Sequence, residues 1–219
     1  MSFEPAVARP SPTTAPRLAR TLVLLLSTVL AASALPGCAP LLIGGAMLGG
    51  TMMVIDRRTS GTQVEDQAIE FKSLSRVREL AIDGHVNVTS YNRMVLISGE
   101  VPSAADKLAI EQAVSRVEAV RSVVNDLAVM GNTSIGSRTN DSILSSKVKA
   151  SFVDAKDLQA QAAKVVTERG IVYLMGRVTE REAARFADVA RSVPGVQKVV
   201  RVFEIITEAN LADLQPRTN

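Results

Sequence analysis

One thiol, Cys38, and one imidazole, His85, are the only side chains of their kinds in the chain. Enzyme chemistry wants such groups in company: a nucleophile beside a base, ligands clustered for a metal, or a loop that cradles phosphate. His85 opens an alternating segment with no second histidine anywhere, and reads as an edge or exposed side chain rather than a ligand. The carboxylates are scattered among Lys and Arg, as on an ordinary solvated surface. Gly44-Gly45 and Gly49-Gly50 lack the Lys-Ser/Thr of a phosphate loop. The residues therefore point to no enzyme, with no catalytic residue, no metal and no cofactor assigned.

Chemistry does remain at Cys38, because of what precedes it. Residues 21–34 are uncharged and dominated by Leu, Val and Ala, with Arg17 and Arg20 on their N-terminal side and Leu35-Pro36-Gly37 leading into the cysteine. A positive flank, an apolar run and small residues at the end make a secretory leader, residues 1–37. A cysteine that is merely a small buried hydrophobe has no reason to stand at that processing position. The Leu-x-Gly-Cys ending resembles a bacterial lipobox. That resemblance implies acyl chains on the Cys38 thiol, and Cys38 as the first residue of the mature chain. Ala39 stands next, where related export systems use Asp to signal inner-membrane retention. No second cysteine exists, so a disulfide framework is excluded.

The elements beyond the cysteine begin with a tether. Residues 41–55 are apolar but broken by four glycines. They fall short of the roughly 20 residues of a membrane span, and residues 38–65 are read as the acylated cysteine with a Gly-rich tether. The rest is one unit written twice. Val95-Leu96-Ile97-Ser98-Gly99-Glu100-Val101 recurs 77 residues later as Val172-Tyr173-Leu174-Met175-Gly176-Arg177-Val178. Val120-Arg121-Ser122-Val123-Val124 recurs 76 residues later as Val196-Gln197-Lys198-Val199-Val200. Two domains follow, at 66–130 and 141–207, with a Gly-, Ser-, Thr- and Asn-bearing linker at 131–140 and a tail at 208–219.

Each copy reads helix, strand, strand, helix, strand. In the first, Phe71, Leu74, Val77 and Leu80 suggest a helical stripe, residues 85–91 and 94–101 a hairpin turning at Asn92-Arg93, and 122–129 a closing strand. Residues 103–117 form the second helix, with Ala105, Leu108, Ala109, Gln112 and Ala113 at helical spacing. In the second copy Asp141 is expected to cap a helix running to Val153. Glu168-Arg169-Gly170 makes a hairpin turn, Thr179 to Glu182 a capping box for a helix ending at Ser192, and 196–207 the last strand. Two helices on one face of a three-stranded sheet make an α+β fold. Gly99 and Gly176 stand at the same place in both copies, where a strand glycine marks a bulge or a close backbone approach.

A tandem of such αββαβ units, with a glycine late in the central strand, resembles the BON domain, a small bacterial envelope module. Residues 61–66, 87–91 and 174–183 in particular resemble the dual-BON outer-membrane lipoproteins. The resemblance implies a lipid-anchored protein on the periplasmic face of the bacterial outer membrane that binds anionic phospholipid and supports envelope integrity.

Charge divides the copies. Residues 66–130 carry seven Lys/Arg against nine Asp/Glu, net −2, and residues 141–207 eleven against eight, net +3. A basic surface attracts anionic head groups at about 1 kcal/mol per Lys or Arg close to the membrane. The first helix of the second copy is the leading lipid-binding candidate. Leu144, Val148 and Phe152 make its core stripe, and Ile143 and Lys147 fall on a neighbouring face, with Lys149 elsewhere on the helix. Ile143 either dips into the head-group region or packs on the other domain. The next helix, with Arg181, Arg185 and Arg191, is the second candidate, or else those arginines form surface ion pairs with Glu182 and Asp188. A protein-interaction adaptor for outer-membrane assembly or cell-wall partners is the rival reading. Nucleic acid is excluded by an aromatic content of 3 %, since single-strand platforms stack bases on aromatic rings.

Overall fold

Thr59 starts the first helix: its hydroxyl accepts the amide of Thr62 and opens α1, Ser60–Glu79. The computed structural model describes residues 56–214; the leader, Cys38 and the tether through residue 55 lie outside the described residues. After α1 come β1 (His85–Tyr91), β2 (Met94–Val101), α2 (Ala104–Ser115), β3 (Ser122–Asn125) and β4 (Ala128–Val129). The second copy gives α3 (Ile135–Asp154), a 3-10 turn at Ala160–Ala162, β5 (Lys164–Glu168), β6 (Ile171–Val178), α4 (Glu180–Ser192) and β7 (Lys198–Ile205). A short helix, α5 (Glu208–Leu214), lies in what was expected to be a plain tail. The fold is α+β, as expected.

Both sheets share one topology. β2 pairs antiparallel with β1 and parallel with β3 and β4. β6 pairs antiparallel with β5 and parallel with β7. A two-residue turn suffices for the antiparallel step, and the parallel step needs a crossover, which α2 and α4 supply. The expected strand at 122–129 is interrupted, because Leu127 turns into the core at 2 % exposure.

Alternation sorts the side chains into layers. On β2, Val95, Ile97 and Val101 face the helices and join Ile69, Val77, Ile110 and Val114. On β6, Val172, Leu174 and Val178 do the same with Val148, Phe152 and Phe186, the two phenyl rings meeting edge-on at 4.9 Å between centroids. The opposite faces of the two sheets pack on each other: Tyr91 and Leu96 meet Tyr173, Met175 and Val202. The order is helices, sheet, sheet, helices.

The helical stripes differ from the expected ones. In α1 the buried residues are Asp66, Ile69, Ser73 and Val77, whereas Phe71 is 74 % exposed and Leu80 38 %. Steps of three residues drift about 60° per step around a helix of 3.6 residues per turn, so such a row cannot stay on one face. In α2 Ile110 and Val114 are buried, while Ala105, Leu108 and Gln112 are exposed. The linker expected at 131–140 is mostly helix. α3 begins at Ile135, capped by Ser134, whose hydroxyl accepts the amide of Ser137. Asp141 is therefore no cap but a buried residue inside α3.

Gly99 and Gly176 sit where backbone crosses backbone. A Cβ on Gly99 would collide with the His85 carbonyl oxygen, and one on Gly176 with that of Ala162. Gly99 also has φ +116°, which side chains rarely adopt.

Candidate functional site

A groove in the second domain is built from three pieces of backbone. The first turns of α3 form one wall, the β5–β6 turn another, and the loop after α4 the third. Asp141 fixes the turn: its two carboxylate oxygens accept the amides of Arg169 and Gly170, each at 2.8 Å. Both turn residues have positive φ, 52° and 72°, and Gly195 turns the third wall at φ +103°.

The resulting cavity is about 600 Å³ and is lined by Asn140, Ile143, Leu144, Lys147, Arg169, Pro194 and Gln197, among others. Leu144 belongs to the core at 8 % exposure, whereas Ile143 is 49 % exposed. Ile143 belongs to none of the buried core clusters. Lys147 is exposed beside it, and among the described residues no carboxylate lies within ion-pair distance of its amine. Lys149 is exposed too but stands roughly 200° around the helix from Lys147 and lines no part of the groove. Arg169 is committed elsewhere, donating to the Gly99 carbonyl at 2.7 Å and to Glu100 at 3.0 Å. The structure thus brings Ile143 and Lys147 together and leaves Lys149 apart.

The arginines of α4 are paired. Arg181 faces Glu208 at 3.6 Å, Arg185 faces Asp157 at 2.7 Å and Arg191 faces Asp188 at 2.7 Å. The bond from Asp157 raises the Arg185 pKa further. Only the Arg191 pair is one the sequence suggested. Glu182, expected as a helix-surface partner, is buried and bound to a residue far upstream.

That residue is Arg57, which sequence reasoning missed. Its guanidinium forks onto Glu182 at 2.7 and 2.8 Å and also donates to the Arg177 carbonyl at 2.8 Å and to Gln159 at 3.2 Å. Glu182 also completes the capping box with Thr179. Burial pushes the Glu182 carboxyl up, but the Arg57 bond and the Thr179 amide outweigh it and hold it below its usual range. Next in sequence, Arg58 turns the other way, to Asp66 at 2.7 Å, and lies 4.1 Å over the Tyr91 ring. Burial, with the Asp56 charge, lifts the Tyr91 phenol to about 12. Two adjacent arginines thus tie the segment before α1 to both domains. An Arg pair at a domain edge gives no periodic signal, and only the buried Glu182 in the capping box hinted at a partner.

Polar contacts seal the seam between the sheets. Lys164 meets Glu70 at 2.8 Å, Asn92 and Arg121 meet Glu204 at 2.6 and 2.9 Å, and the Tyr173 hydroxyl donates to Asp126 at 2.8 Å. His85 lies 4.0 Å from Glu168, which also accepts from Asn87. No cluster of metal-ligating side chains occurs among the described residues, and no described helix is long and apolar enough to cross a membrane.

Residues 66–131 and 140–207 each match the family described as BON domain. Outer membrane lipoprotein DolP of Haemophilus influenzae is 36 % identical over 176 residues, 78 % of this chain and 90 % of that protein. A 21 kDa hemolysin of Actinobacillus pleuropneumoniae is 30 % identical over 155 residues, 69 % of this chain and 80 % of that one. A solved chain of CdsD, a structural protein of the type III secretion system of Chlamydia trachomatis, aligns at 14 % identity with a TM-score of 0.27. It covers 72 % of this chain and 99 % of its own.

Proposed function

The chain belongs to the BON domain family, and from its likeness to the outer membrane lipoprotein DolP we propose that it is an outer-membrane lipoprotein whose second domain binds anionic phospholipid. Acyl chains on Cys38 hold it on the periplasmic face, and the domain pair supports envelope integrity there. The observation that carries the reading is the pairing of a half-exposed Ile143 with an unpaired Lys147 on one groove. An apolar side chain beside an amine suits the boundary between head groups and acyl chains. The arginines of α4 contribute less, because each already faces a carboxylate. The role is binding rather than catalysis.

The test is cosedimentation of the leaderless chain, residues 38–219 with Cys38→Ser, on phosphatidylglycerol and phosphatidylcholine vesicles. The chain should sediment with the former and not the latter, and Ile143→Glu should abolish this while circular dichroism stays unchanged. Equal sedimentation of wild type and Ile143→Glu rejects the groove.

A protein-docking role is the second reading, favoured by Val64 and Phe71, 67 % and 74 % exposed on one side of α1. Apolar side chains this exposed mark interaction surfaces when they gather on one face. Crosslinking in envelope membranes that depends on Phe71 and survives Ile143→Glu would favour it.

A further inference from the structure

The groove of the second domain has a counterpart in the first. There a smaller recess, about 210 Å³, is lined by Glu65, Ala68, Ile69, Lys72, Glu118 and Ala119. A step of 75 residues along the helix and 76 across the later turn carries these onto Asn140, Ile143, Leu144, Lys147, Pro194 and Gly195. Every one of those six lines the larger groove. The backbone device is therefore written twice, down to a positive φ at both Ala119 and Gly195.

The side chains have diverged in one direction. The core residue and the lysine are kept. The protruding Ile143 is answered by Ala68, and Asn140 and Pro194 are answered by two carboxylates, Glu65 and Glu118. Glu118 sits 2.9 Å from the Lys72 amine, so the cation that Lys147 leaves open is met here by an opposite charge. Glu65 likewise faces Arg93. The Lys72–Glu118 pair is too exposed to matter much for stability, but it neutralises the amine, so this recess offers no open cation of the kind Lys147 presents.

We propose that Glu65 and Glu118 are specificity-determining residues that close the first domain to anionic head groups, so that a groove present twice is used once. The proposal rests on the phospholipid reading of the second groove, which Ile143→Glu tests separately.

The experiment starts from the leaderless chain carrying Ile143→Glu, which should no longer bind phosphatidylglycerol vesicles. Into it go Ala68→Ile, Glu65→Asn and Glu118→Ala. Removing two charges near an anionic surface should return at least about fivefold in vesicle affinity, on phosphatidylglycerol and not on phosphatidylcholine. A control that neutralises Glu79 and Asp83 instead, an equal charge change away from the recess, should return nothing. A folded triple variant no better than its Ile143→Glu parent overturns the proposal and leaves the second groove standing. A control variant that binds equally well also overturns it, because net charge and not the recess would then decide. If wild type and Ile143→Glu bind alike, the second groove is not the lipid site and the proposal falls with it. Should the triple variant melt early, Glu118→Gln alone, at an exposed side chain, carries the same test at a gain of about twofold.

Discussion

Asp66 and Asp141, 75 residues apart, hold the same object. Each is a buried carboxylate on the first helix of its domain, and each accepts two consecutive amides of the hairpin turn at 2.8 Å. The turn residues Asn92, Arg93, Arg169 and Gly170 all have positive φ, a conformation that costs ordinary residues about 1–2 kcal/mol. Asp141→Ala leaves two buried amides without acceptors and should cost about 2–4 kcal/mol in a urea melt. Asp66→Ala should cost more, because Asp66 also accepts from Ser90 and Arg58 at 2.7 Å. An Asp141→Ala protein as stable as wild type would show that the turn holds itself.

The hairpins, the capping box at Thr179 and the paired glycines were legible in the sequence because each is a local matter of turn chemistry or repeat position. Asp141 was legible only as a polar residue near a helix start, and so was assigned to a cap. Its true role depends on an amide 28 residues away, which no local rule reaches. Aligning Asp66 with Asp141 across the repeat would have marked both as inward-facing. The groove was half legible: helical spacing put Ile143 beside Lys147, but the α4 arginines needed partners at Asp157 and Glu208, outside their own helix.

Arg57 and Glu182 form a buried pair, with side chains 2 % and 8 % exposed. Arg57→Ala strands the carboxylate and should destabilise the fold by about 3–5 kcal/mol. Arg57→Met with Glu182→Leu should recover much of that, since no charge is then left unpaired. A chain that starts at residue 61 loses Arg57 together with the Arg58–Asp66 pair and the Thr59 cap, so it should lose at least as much as Arg57→Ala, and binding work should use chains that retain residues 56–60. Equal melting temperatures for chains starting at 56 and 61 would contradict that tie.

Glu168 runs the other way with pH. Burial pushes its carboxyl above the usual range, and the Asn87 bond and His85 only partly offset this. A folded pKa above the unfolded one adds stability below the ordinary carboxylate range, and that contribution is lost as pH rises through the folded value. Glu168→Gln, which can still accept from Asn87, should match or exceed wild type at pH 7. Its advantage should vanish on acidification towards pH 4, about the unperturbed carboxyl value. Denaturant melts across that range decide it. A Gln variant less stable at neutral pH would mean that the charge at Glu168 is needed.

Gly99 and Gly176 differ in one respect that an Ala scan should expose. Both would drive a Cβ into a carbonyl, but Gly99 alone also has positive φ. Gly99→Ala should therefore cost more than Gly176→Ala, each above about 2 kcal/mol. Because the two sheets share the Tyr91, Leu96, Tyr173 and Met175 cluster, both variants should melt in one transition rather than domain by domain. Two separated transitions by calorimetry would show that the shared cluster does not couple them.

Lys147 and Lys149 give the sharpest reading of the groove, because they are alike in charge and exposure and differ only in where they stand. Lys147 lines the groove next to Ile143, and Lys149 lies on another side of α3. If the groove takes the head group, Lys147→Glu should weaken phosphatidylglycerol binding by at least about tenfold. That is two units of charge at about 1 kcal/mol each near the surface, rounded down. Lys149→Glu should cost about threefold or less, through the general field alone. Added salt should shrink the Lys149 effect first, since a charge farther from the membrane is screened over about 8 Å at physiological ionic strength. Vesicle titrations of the two single variants at low and physiological salt are sufficient. Equal losses from Lys147→Glu and Lys149→Glu at both salts would mean that the second domain reads the membrane by net charge, and that the groove beside Ile143 is not where the lipid sits.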